Sequence, residues 1–155
     1  MEPKDITTAI IGSVGVLVAA FTLVKGLIEY RKQGVTKRAE IFLQLRTRLR
    51  QDPQFSRLCD LLEVNSPELR GIPLVERDRF IGFFEELALM RNSGLINDQV
   101  SLYMFGYFAI RCLHSKNFWH DLNRDQPLWA LFVDFAQQME AAQKSFKYEP
   151  KAFRL

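Results

Sequence analysis

From Ile6 to Val24 the chain reads ITTAIIGSVGVLVAAFTLV without a charged residue, and Gly26, Leu27 and Ile28 extend the apolar run past Lys25. About 20 apolar residues in succession are what an α-helix needs to cross hydrocarbon, so this pattern predicts one transmembrane helix. Beyond Gly34 the pattern becomes amphipathic. Ile41, Leu45 and Leu49 recur at helical spacing with Phe42 beside them, while Arg46, Arg48 and Arg50 lie elsewhere around the axis. The first helix is therefore read as able to run on into this stretch. Asp52 and Pro53 then end it and open a second helix, with Asp52 as N-cap, Pro53 at the first helical position, and Phe55, Leu58, Leu61 and Leu62 on its apolar face. Ser66-Pro67 and Gly71-Ile72-Pro73 mark Asn65 to Pro73 as a loop.

The strongest periodicity follows, from Leu74 to Ser93 (LVERDRFIGFFEELALMRNS), closed by Gly94 as a C-terminal cap with Leu95 and Ile96 behind it. Asn97 and Asp98 open the next helix, VSLYMFGYFAIRCLH, which is apolar on nearly every side and is expected to sit centrally and pack as a hairpin on its predecessor. An aromatic turn at Phe118, Trp119 and His120 leads to Asp125, read as an N-cap, and to Pro127 near the start of a last helix reaching Phe146. Neither strand alternation nor an internal repeat is visible. The expected fold is all-α: a membrane helix and juxtamembrane anchor over 5–33, a small helical bundle over 34–148, and a loose tail over 149–155.

Charge sets the expected orientation. Met1 to Asp5 holds Glu2, Lys4 and Asp5, whereas the apolar run is followed by Lys25, Arg31, Lys32, Lys37 and Arg38. A cleaved signal peptide would carry its positive charge ahead of the apolar core, so the segment is expected to stay in place. Basic residues on the far side put the N-terminus outside and the bundle in the cytoplasm, with Tyr30 as an interfacial anchor. Arg31, Lys32, Lys37 and Arg38 lie where anionic headgroups attract basic side chains by about 1 kcal/mol each, which makes membrane lipid the expected partner ahead of nucleic acid. Within the span, Ala9, Gly12, Ser13, Val16, Ala19 and Ala20 form a stripe of small residues, of the kind that lets helices approach closely in lipid. The stripe suggests a homo-oligomer, although small residues are also common in membrane helices generally.

The net charge of +3 is too small to imply nucleic acid by itself. Cys59 and Cys112 have no metal-ligand spacing and read as buried thiols in a reducing compartment. No metal or other cofactor is expected. Glu85 and Glu86 stand among Phe83, Phe84, Leu87 and Leu89, so at least one carboxylate faces apolar surroundings and needs a cation; Arg91 and Arg111 are the expected partners in an internal ion pair. Adjacent carboxylates point about 100° apart on a helix, which argues against an acid-base pair. The histidines lie in RCLHSKNFWH, from Arg111 to His120. Arginine followed by histidine resembles nucleases of the higher-eukaryote and prokaryote nucleotide-binding type. The intervals here, two residues to His114 and eight to His120, fall on either side of that family's spacing. Arg111, His114 and His120 are thus candidate RNA or phosphate contacts, against a reading as surface histidines at a helix end.

The segments EIFLQLRTRLRQDP, FIGFFEELALMRNSGLI and YMFGYFAIRC resemble a family of small bacterial proteins with one N-terminal membrane helix and a helical cytosolic domain. The layout is also similar to the membrane accessory proteins of type VI-B CRISPR systems. These resemblances imply a non-enzymatic, membrane-anchored oligomer of the bacterial inner membrane, with a pore serving antiviral defence. The alternatives are a membrane-tethered RNA-binding or RNA-cleaving bundle, and a monomeric anchor whose domain binds a cytosolic protein.

Overall fold

Helical periodicity runs through almost the whole chain, and the described residues form helices joined by turns, without a strand. A computed structural model describes the backbone of residues 3–148 and the side chains of residues 21–148 other than Arg31, Lys32 and Val35. The α-helices are α1 (Pro3–Gln51), α2 (Pro53–Glu63), α3 (Leu74–Asn92), α4 (Asp98–Ser101), α5 (Tyr107–His114) and α6 (Ala130–Lys144). A π-helical stretch, Leu102–Gly106, joins α4 to α5, and short 3-10 helices occupy Pro67–Gly71 and Pro127–Trp129. The chain divides into two compact units, Met1–Ala39 and Glu40–Leu155; the sequence reading placed the boundary after residue 33.

In the first unit, every described side chain from Phe21 to Tyr30 is exposed. Among the described residues no helix is long and apolar enough to cross a membrane. Most of the uncharged run from Ile6 to Val24 lies outside the residues whose side chains are described, as do the whole small-residue stripe, Arg31, Lys32 and the tail over 149–155.

The second unit is organised by phenylalanines. Phe80, Phe83 and Phe84 of α3 are fully buried. Phe80 meets Phe55 of α2 edge-on at 5.4 Å, Phe83 meets Phe105 of the π stretch at 6.0 Å, and Phe84 meets Phe132 and Phe135 of α6 at 5.9 and 6.4 Å. Phe42 joins through Phe105 at 6.1 Å. Each well-oriented ring pair adds about 0.5–1.5 kcal/mol beyond the area it buries, so α3 is the helix to which the others are pinned. The hairpin expected between α3 and the Asp98–His114 region is modified by α6, which packs extensively on both α3 and α5. Gly106 faces α6 at this contact: a Cβ there would stand 2.9 Å from Leu102 Cδ1 one turn back and, in ordinary van der Waals contact, 3.5 Å from Met139 Cβ of α6.

The punctuation follows local chemistry. Asp52 accepts hydrogen bonds from the Gln54 and Phe55 N–H groups at the start of α2, and Asn97 accepts from Val100 N–H at the start of α4. Gly94, at φ 70°, closes α3 as Leu95 N–H donates to Met90 O at 2.9 Å. Two expectations change. The segment Asn65 to Pro73 contains the 3-10 helix Pro67–Gly71, capped by Ser66. Asp125 does not cap the last helix, because the 3-10 helix Pro127–Trp129 intervenes with Gln126 at its N-cap position, and α6 begins only at Ala130 behind Trp129.

The N-cap residue of α6, Trp129, makes no side-chain cap, and Glu85 of α3 lies near the Phe132 N–H in the first turn of that helix. Burial pushes the Glu85 carboxyl above its ordinary value of 4.5, the Phe132 N–H opposes the rise, and neighbouring Asp78 adds to it. An acid whose pKa is higher folded than unfolded binds more protons in the folded state, so stability falls as pH rises from about 4.5 through the raised value. Glu85→Gln keeps an oxygen acceptor and cannot ionise. Denaturation of the variant across acid to neutral pH is expected to show a shallower fall in stability than wild type; identical profiles would remove Glu85 as the source.

Candidate functional site at the end of α5

Exposed cations meet concave surface at the end of α5. Tyr107, Arg111 and His114 follow one another at intervals of four and three residues and are all exposed. Arg111 lays its guanidinium over the Tyr107 ring at 5.2 Å, and His114 Nε2 stands 3.1 Å from Glu140 Oε2 of α6. A groove of about 190 Å3 is lined by Leu62, Asn65, Ile110, Arg111, His114 and Ser115. A second hollow of about 150 Å3 shares His114 and Ser115 and adds Lys116, Trp119 and Arg124. His120 lines neither, and its Nδ1 lies 2.7 Å from Asp121. The structure therefore brings Arg111 and His114 together and leaves His120 out.

Beneath these cations the segment after α5 is a structural clasp. Ser115 Oγ donates to Asn65 Oδ1 at 2.7 Å and accepts from Phe118 N–H at 3.1 Å. Asn117 Nδ2 donates to Asn65 O at 2.7 Å, and Asn117 Oδ1 accepts from Arg70 Nε at 2.8 Å. Asn65 adopts a left-handed backbone, φ 48°, the one non-glycine among the described residues to do so. Asparagine tolerates this region better than most residues, and here its side chain and carbonyl are both used. The carbonyl end of α5 is closed by side chains: Trp119 Nε1 donates to Cys112 O at 2.8 Å and Arg124 Nη1 to Leu113 O at 3.1 Å. Ser115 is 3% exposed and its hydroxyl is engaged on both sides, so it is held as a structural strut.

The expected internal ion pair is corrected. Glu86 pairs with Arg48 of α1 at 2.7 Å, and that guanidinium also lies over the rings of Phe55 and Phe83. Arg91 pairs with Asp98 at 2.7 Å and donates to Gln138. Arg111 rests on Tyr107 at the surface, and Glu85 stands near the Phe132 N–H at the start of α6. The physical reason is geometric. Arg111 belongs to the exposed face of α5, while the two glutamates turn outward on either flank of α3, toward α1 and α6.

The buried cation is instead Arg77, 5% exposed. Its Nη1 donates to Phe118 O at 2.8 Å, and its Nε has no hydrogen-bond partner among the described residues. A signal for it was present, since Arg77 shares the helical row of Phe80, Phe84 and Leu87. Cys59 and Cys112 are free and buried. Burial pushes Cys59 up to about 12 and Cys112 well above its usual range, with each other's proximity adding to the Cys112 shift. No group of three or more His, Cys, Asp or Glu side chains among the described residues is arranged to hold a metal ion. Lys37 is exposed, Arg38 half-buried.

Comparison with family models, curated proteins and solved structures finds no match to this chain.

Two substitutions separate clasp from surface. Arg111→Ala removes an exposed cation-aromatic contact, so chemical denaturation is expected to register a loss below about 1 kcal/mol; a loss of several would restore the ion-pair reading. Asn65→Ala removes a side-chain acceptor at a left-handed residue, with an expected loss of about 2–4 kcal/mol. Asn65→Gly, which keeps the backbone freedom, should be measurably less harmful.

Proposed function

We propose that this chain is a membrane-anchored helical protein of the bacterial inner membrane, acting as an assembly of several copies with its Glu40–Leu155 unit in the cytoplasm. The observation that carries the reading is the uncharged run from Ile6 to Val24, in which Phe21, Leu23 and Val24, with Leu27 and Ile28 just beyond it, are at least half exposed on α1. A helix apolar on every side needs protein or lipid around it, and a run of this length matches hydrocarbon thickness. The basic residues Arg31, Lys32, Lys37 and Arg38 then meet anionic headgroups on the cytoplasmic side.

Association of copies is supported by the stripe Ala9, Gly12, Ser13, Val16, Ala19 and Ala20, since close approach is what drives helix pairing in lipid. An accessory role in antiviral defence, with a pore enclosed by the copies, is what the similarity in plan adds. The tethered RNA-binding alternative draws on Arg111 and His114 lining one groove, without His120. A monomeric anchor carrying a site for a cytosolic protein is the remaining alternative.

Membrane preparations washed with alkaline carbonate are expected to retain the full chain, and replacing Ile11, Val16 and Leu17 with arginine should release it. The mass of the particle in mild detergent should then correspond to a discrete number of chains above one. Full release of the wild-type chain by carbonate would overturn the anchor, and a monomer would overturn the assembly.

A further inference from the structure

The hollow of about 150 Å3 at the end of α5 continues into a wider one of about 480 Å3 beside the start of α6, because Arg124 and Asp125 line both. The two halves carry opposite charge. In the smaller half stand His114, Lys116 and Arg124. Lys116 is exposed, and its side chain forms no ion pair or hydrogen bond among the described residues. Arg124 donates Nη1 to Leu113 O at 3.1 Å, and its Nε is buried without a hydrogen-bond partner among the described residues, 3.6 Å from Asp125 Oδ1. Its side chain as a whole is still 41% exposed. The carbonyl end of a helix repels an anion, but here Cys112 O and Leu113 O are already taken by Trp119 and Arg124. Glu140, beside this half, is held on His114 at 3.1 Å.

The wider half presents Asp125, Gln126, Asp134 and Gln137 over the apolar Pro127 and Val133, and among the described residues Arg124 at the junction is its one cation. Asp134 is exposed and accepts from Gln138 Nε2 through Oδ2 at 2.6 Å. Carboxylate and amide oxygens accept from hydroxyl and ammonium groups, whereas lysine and arginine pair with phosphate. A nucleic-acid strand laid along the depression would carry its charge past Asp125 and Asp134, so a single phosphoryl group suits it better than a polyanion. We infer that this depression binds a phosphomonoester of an amine-bearing polyol, such as an amino sugar, with the phosphoryl group at Lys116 and Arg124 and the hydroxyl and ammonium groups against Asp125, Asp134 and the two amides. Asp125 at the junction repels the phosphoryl group from the wider half and so sets the direction of binding. The site lies within the Glu40–Leu155 unit and rests on neither the anchor nor the assembly.

Titration of the full chain tests it, in a polyoxyethylene detergent whose headgroup holds neither sugar nor phosphate, with binding read by ligand-observed NMR. The probes are glucosamine phosphate and glucose phosphate, each esterified at the primary hydroxyl, together with methyl phosphate and glucosamine. Glucosamine phosphate is expected to bind several-fold tighter than glucose phosphate, and both tighter than methyl phosphate or glucosamine. Lys116→Glu should abolish binding of both sugar phosphates while the melting temperature holds, since Lys116 is exposed and supports no contact. Asp134→Asn, which keeps an oxygen acceptor for Gln138, should erase the advantage of glucosamine phosphate over glucose phosphate. Absence of saturable binding by glucosamine phosphate, binding no tighter than that of methyl phosphate, or binding unchanged by Lys116→Glu would each overturn the inference. Tighter binding of a single-stranded RNA with hydroxyl ends, lost in Arg111→Ala, would also overturn it and give the end of α5 to nucleic acid. None of these readings shares an outcome with carbonate washing or particle mass, so this site and the proposed function fail separately.

Discussion

Contact between aromatic rings along α3, edge-on toward α2 and the π stretch and tilted or stacked toward α6, is the constraint on which the helical unit depends. Phe80, Phe83 and Phe84 face three different neighbours from one helix, and Phe83 and Phe84 themselves meet at 5.2 Å. Rings are stiff, with few torsions to lose on burial, and their preferred geometry fixes orientation as well as distance. Phe55 therefore sets where α2 lies, Phe105 where the π stretch lies, and Phe132 with Phe135 where α6 lies. Arg48 belongs to the same assembly, covering Phe55 and Phe83 while it holds Glu86.

Close packing against that scaffold accounts for the irregular features nearer the C-terminus. With α6 drawn onto α3, the Asp98–His114 region meets α6 at Gly106, and the π-helical stretch ends at that contact. The chain then reverses into Ser115–Trp119, whose polar groups are shared with Asn65 and Arg70 on one side and the carbonyls of α5 on the other. Arg111 and His114 stay at the surface because the inward positions of α5 belong to Ala109, Cys112 and Leu113. Arg77 reaches under the turn to Phe118 O, joining the start of α3 to the clasp. The groove at Arg111 is thus rigidly floored and exposed above.

Features written in local chemistry were legible in the sequence. Asp52-Pro53, Gly94 and Asn97 act through their own backbone neighbours, so the ends they mark could be read without knowing the fold. The all-α class and the inward faces of α2 and α3 follow from periodicity in the same way. Charge pairing was not legible, because Glu86 meets a residue 38 positions earlier and Arg91 bridges Asp98 of α4 and Gln138 of α6, which only the fold brings together. The π stretch carries no mark in the uniformly apolar pattern around it, and the raised Glu85 carboxyl depends on burial beside a second helix. Arg111, His114 and His120 looked like a set along the chain, yet the turn after α5 carries His120 to Asp121 and away from the groove.

The central claim, that the α3 rings hold the helical unit together, is tested most directly by replacing Phe84 with alanine and measuring denaturation of the full chain. Phe84 is completely buried between α3 and α6. The account predicts a cooperative transition weakened by about 3–5 kcal/mol. A loss of less than about 1 kcal/mol, with the transition otherwise unchanged, would contradict it, because surroundings able to refill the space of a phenylalanine ring could not be the scaffold described.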